Sequence, residues 1–158
     1  MLHRMPHPCV PMLLILGLFQ LAAAFATFVP SLVHDRVAKQ FTPVWAWVTA
    51  PLVGDNPDVV HGLAVGSQIV IGTTEAIIAV QLFVALVSPA KRLVYAQAGL
   101  GLAVLLFGAF LLTMFLMHDK SLPAWNQYPA ILGWYGVTWL LVAHEHHVRQ
   151  QYQAASTP

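Results

Sequence analysis

A carboxylic acid inside an apolar run is the group in this chain best placed to do chemistry. Glu75 lies within residues 62–87 and is the only acidic residue in any hydrophobic segment. An ionisable group at bilayer depth is costly, and by default it marks a proton or ion path or a tight contact between helices. His61, Gln68 and Glu75 are spaced seven apart, so on a helix they fall on nearly one face. That stripe covers about 21 Å at 1.5 Å per residue. Gln20 and Tyr135 sit at similar depth in two other apolar runs. Two chemistries fit. Glu75 could accept a proton, with Gln68 and His61 admitting protons or an ion from one side. It could equally stay protonated and donate one hydrogen bond that fixes helix register. The expected arrangement brings Gln20, Glu75 and Tyr135 within reach of one another, because lipid satisfies none of them.

Histidine supplies the second candidate chemistry. His34, His61 and His118 lie at the ends of three apolar runs, with Asp35 and Asp119 directly following two of them. Imidazole and carboxylate are competent ligands for zinc, copper or iron. These five residues are therefore a candidate metal site, set against the ordinary reading of polar groups in the membrane interface. At the other end stands His144-Glu145-His146-His147. There His144 and His147 have a spacing of three that could hold a metal, against the reading of a helix end entering water. Trp45, Trp47, Trp134 and Trp139 are candidates for contact with a partner, a quinone or lipid tails. No histidine lies within an apolar run, which disfavours a haem-binding bundle.

The elements that must hold these groups follow from composition. Of 158 residues, 58% are hydrophobic and only 8% charged, far below the roughly 25% charged residues of soluble domains. Four apolar runs, at about 10–33, 62–87, 94–117 and 124–143, are near the roughly 20 residues that cross about 30 Å of hydrocarbon. The expectation is an all-α integral membrane four-helix bundle, up-down-up-down, forming one domain over residues 1–158. Ala22 to Ala26 has the small-residue character of a signal-peptide cleavage region, but the run continues apolar to Val33, so a retained span is expected. The turn at Ser88–Arg92 is short and forces antiparallel neighbours. The first connection, residues 34–61, is long and carries Pro43, Pro51, Gly54 and Pro57 beside Trp45 and Trp47. It reads as a loop on the non-cytoplasmic side or a segment in the membrane interface. Gly62 and Gly66 form a G-x-x-x-G, a spacing that lets helices approach closely.

Orientation follows from Arg4, Lys91, Arg92 and Arg149 on one side against Arg36, Lys39 and Lys120 on the other. This excess, with Lys91-Arg92 in a very short turn, puts both termini in the cytoplasm of a bacterial inner membrane. The near-neutral charge of +1 offers no surface for nucleic acid. The lone Cys9 excludes an internal disulfide and a zinc site built on cysteines. No nucleophile elbow, phosphate loop, H-E-x-x-H or C-x-x-C is present, so an enzyme is not expected. The expected function is a non-catalytic accessory subunit of a larger membrane complex that handles electrons or protons. It would touch membrane lipids and other subunits or copies of itself. The alternatives are a small proton-coupled transporter or channel centred on Glu75, and a metal or redox module using the non-cytoplasmic histidines. The sequence requires no cofactor, though a metal ion or a bound lipid or quinone would suit it.

Overall fold

The computed structural model describes residues 7–29, 36–54, 56–117 and 127–155. Among these the chain is all-helical, with five helices: α1 (Cys9–Phe28), α2 (Arg36–Val53), α3 (Pro57–Val87), α4 (Arg92–Met117) and α5 (Tyr128–Ala155). Three stretches are long and apolar enough to cross a membrane: α1, α3 and Arg92–Phe115 of α4. These make the protein an integral membrane protein in contact with lipid.

α3 is the organising element and packs against α1, α2 and α4, while α5 closes on α4 and α1. Its start is specified locally. The Asn56 side chain accepts from the Asp58 and Val59 amides, and Pro57 occupies the first turn, where a missing N–H costs nothing. Gly54, at φ 64°, supplies the left-handed residue that reverses the chain after α2. At the far end of α3, the Arg92 Nε donates to the Ala85 carbonyl at 3.2 Å, satisfying one of the acceptors a helix end leaves open.

Packing is closest where side chains are absent. A Cβ on Gly72 would lie 2.9 Å from the Thr27 methyl, and one on Gly99 would lie 3.0 Å from the Gln81 Cβ. These glycines set the α1–α3 and α3–α4 approaches. The core is a layer of Leu13, Leu16, Ile78, Leu82, Leu100 and Val142, all buried, with Phe107 stacked on Tyr135 at a centroid distance of 5.8 Å.

The long first connection differs from expectation. It is largely helix α2, not a loop, and α3 begins five residues before Gly62. Pro43 and Pro51 lie inside α2, where each removes a backbone donor. Packing on α3 compensates, and the Trp45 indole N–H donates to the Ser67 hydroxyl at 2.7 Å. α5 also continues past residue 143 to Ala155, so His144–His147 belong to its regular helix.

Candidate functional site

Polar groups gather at two levels of the bundle. The first surrounds Glu75, which is buried on α3. The Thr27 hydroxyl donates to its Oε2 at 3.0 Å, and the Gln68 amide donates to the Thr27 backbone carbonyl at 2.8 Å. Thr27 therefore ties two of the stripe residues to the last turn of α1. No Lys or Arg among the described residues pairs with Glu75. Gln20 and Tyr135 meet as expected, the Gln20 amide donating to the Tyr135 hydroxyl between α1 and α5, and both are fully buried. The Gln20 Oε1 has no hydrogen-bond partner among the described residues. Among the described residues Glu75 shows a hydrogen bond to Thr27 and not to this pair, so the expected trio is assembled only in part.

His61 is exposed, away from the buried end of the stripe. Of the other candidate metal ligands, His34, Asp35, His118 and Asp119 lie outside the described residues. Trp47 and Trp134 are exposed, at 62% and 57%. Trp139 instead packs over Gly101 of α4. Thr138 is fully buried and bonds the Trp134 carbonyl of its own helix. The pair His144 and His147 does not converge on a site: His147 bonds Gln151, and His146 bonds Gln150, each one turn on.

The second level joins the start of α1, the start of α4 and the last third of α5. Glu145 is buried, and its Oε1 accepts from Arg92 and from Arg149 at 2.5 Å each. Its Oε2 accepts from the Cys9 thiol at 2.8 Å. Arg149 also reaches the Pro89 carbonyl at 3.4 Å, so the cluster staples the α3–α4 turn to α5. His7 lies beside Cys9, whose amide points at the ring Nδ1 at 3.4 Å. The ring of His144 is 6.1 Å from that of His7. None of this grouping follows from the spacing read in the sequence. The signal for it is that His7-Pro-Cys9 opens one helix while His144-Glu145 lies near the end of an antiparallel one.

Burial pushes the Glu145 carboxyl up, but the thiol hydrogen bond and the two guanidinium charges outweigh it, so the carboxyl stays below its ordinary range. A carboxylate depressed in the fold contributes stability above its unfolded pKa, about 4.3, and loses it as pH falls through the lower folded value. The Glu145 contribution to thermal stability in detergent should therefore be fully present above about pH 5 and be lost below about pH 4. A Glu145→Gln variant should lack that acid step, and an identical step in both proteins would assign it elsewhere.

Between the two levels lies the apolar layer of Leu13, Leu16 and Val142 with their α3 and α4 neighbours. Along α1 the two levels are separated by the eleven residues from Cys9 to Gln20, about 16 Å of helix. No protein-family model matches the chain, and neither curated proteins nor solved structures give a match.

Proposed function

We propose that the protein is a non-catalytic integral membrane subunit that works by docking to other membrane helices in an assembly handling electrons or protons. In this reading the chain has four spans, α1, α3, α4 and α5, running up-down-up-down. Both termini lie on the cytoplasmic side of a bacterial inner membrane, with Lys91, Arg92 and Arg149 at that face.

One observation carries the reading. The glycines divide into two sets. Gly17, Gly72 and Gly99 each meet a side chain of a neighbouring helix closely, whereas Gly62, Gly66, Gly108, Gly133 and Gly136 have no atom of the described residues within 4 Å of a built Cβ. Gly62, Gly133 and Gly136 are exposed, beside exposed Trp134 and Val137 on α5 and Val65 on α3, while Gly66 and Gly108 are half-buried. Small residues facing outward let a foreign helix approach backbone to backbone. The buried polar groups add support. Glu75 with Thr27, Gln20 with Tyr135, and Glu145 with its arginines engage one another across helices, and an apolar layer interrupts them. That favours locks on helix register over a continuous proton path.

The test is assembly state. In mild detergent, the wild-type protein should migrate as a complex larger than one 17.3 kDa chain in its micelle. Gly62→Ala with Gly66→Ala adds only a Cβ at each position, which meets no described atom of the chain within 4 Å, and should release it as a folded monomer. A monomeric wild type, or an assembly unaffected by the double variant, would overturn this reading. Mass spectrometry of the wild-type complex separates self-association from a different partner.

A further inference from the structure

We propose that His7, Cys9 and Glu145 form a binding site for a soft monovalent metal ion of the Cu(I) type, at the end of the bundle where α1 begins. Their donor atoms, a ring nitrogen, Sγ and a carboxylate oxygen, all lie within 4.8 Å of one another. Three ligands around one ion at about 2.0–2.3 Å lie about 3.5–4.0 Å apart, so the widest pair must close by no more than about 1 Å while the 2.8 Å thiol–carboxylate contact opens as the ion replaces the thiol proton. Cys9 and Glu145 are buried and His7 half-buried. That differs from an exposed acidic cluster, which water satisfies. His144, its ring 6.1 Å from that of His7, is a further donor close by among the described residues and is exposed, so the site opens toward solvent on the His7 side.

Charge selects the ion. The Glu145 Oε1 is occupied by Arg92 and Arg149, leaving Oε2 to face the thiol. With the thiol protonated, one carboxylate sits against two guanidiniums, a net charge of +1. Exchange of the thiol proton for a monovalent ion, Cys–SH + Cu⁺ → Cys–S–Cu + H⁺, leaves that charge unchanged and releases the proton to solvent. No electron is transferred. A divalent ion would add a further positive charge beside the buried Arg92, which low-dielectric surroundings penalise. Thiolate and imidazole are soft to intermediate donors that suit Cu(I). The site uses one thiol with donors from two other positions.

The experiment is an anaerobic titration of the reduced full-length protein in detergent with Cu(I) held by a chromogenic chelator. One equivalent should bind, with release of about one proton per ion at neutral pH and a sulfur–copper bond of about 2.2 Å in X-ray absorption. Cys9→Ser, which keeps a donor for Glu145, should abolish binding, and His7→Ala should weaken it at least about tenfold. Size-exclusion and unfolding profiles report whether Cys9→Ser folds. If it does not, His7→Ala, which leaves the Cys9–Glu145–Arg92 contacts intact, decides. Absence of stoichiometric binding, or binding unchanged in the folded variants, would overturn the site. Zn(II) bound as tightly as Cu(I) would overturn the assignment to a monovalent ion.

Discussion

Replacing Glu145 by alanine is expected to lower the unfolding free energy by about 3–5 kcal/mol, the cost of leaving a buried partner charge uncompensated. The Arg92 side chain is only 10% exposed, so its guanidinium has little access to water once the carboxylate is gone. The change also removes the acceptor of the Cys9 thiol and loosens α5 from the turn that joins α3 to α4. Arg149 provides the internal control. It is 47% exposed on the same helix, so Arg149→Ala should cost no more than about 1 kcal/mol. The pair Arg92→Met with Glu145→Leu should recover most of the loss, because apolar replacement of a whole buried ion pair is often neutral or stabilising. Reversible unfolding in mixed micelles measures all three. A loss below about 1 kcal/mol for Glu145→Ala would mean that water reaches Arg92 freely and the cluster does not bind the helices together.

Tyr135→Ala should be comparably damaging, at about 3–5 kcal/mol, because it opens a large void in a fully buried position. In a bilayer, helices gain little from escaping water, so lost dispersion contacts carry the effect. Here those contacts are with the Phe107 ring at 5.8 Å and with Gln20. Tyr135→Phe isolates the hydroxyl. It keeps the stacking and removes one inter-helix hydrogen bond, which in membranes is worth about 0.6 kcal/mol on average and no more than about 1.7. The two variants thus separate packing from polarity on the same atom set. If the phenylalanine variant loses as much as the alanine variant, the Gln20–Tyr135 bond and not the ring is what joins α1 to α5.

Three of the four expected apolar spans were legible because long uncharged runs have few alternatives in water; the fourth, at 124–143, is not among the long apolar helices of the described residues. The pairing of Gln20 with Tyr135 was legible too, since two deep polar groups on different helices have few places to go. Helix α2 was hidden by Pro43 and Pro51, which read as turn signals until the surface of α3 is present to hold the helix. The partner of Glu75 was also hidden. Thr27 lies one residue from the end of α1, where a threonine ordinarily looks like a helix terminus. Glu75 appears central when counted along α3 alone, yet it is level with the end of α1. The Glu145 cluster was least legible. Its contacts join residues 136 and 53 positions apart. Arg92 carried meaning as a topology signal, Glu145 as part of a polar tail, and Cys9 as a lone thiol. Only the order of antiparallel helices brings the three to one place.

The unequal lengths of α1 and α3 bear on the membrane itself. α1 has 20 residues and α3 has 31, about 30 Å and 46 Å of helix. The shorter helix just covers a typical hydrocarbon thickness when upright, and Gly72 binds it to the longer one, so the pair cannot tilt independently. The excess of α3 must therefore emerge past the end of α1, on the side where α2 lies against it. A thicker bilayer would stretch past α1 while α3 still spans it, a mismatch costing a fraction of a kcal/mol per Å. The bundle is thus fitted to a thin membrane on the α1 flank and tolerant of a thick one on the α3 flank, and lipid chain length becomes a variable felt first at α1.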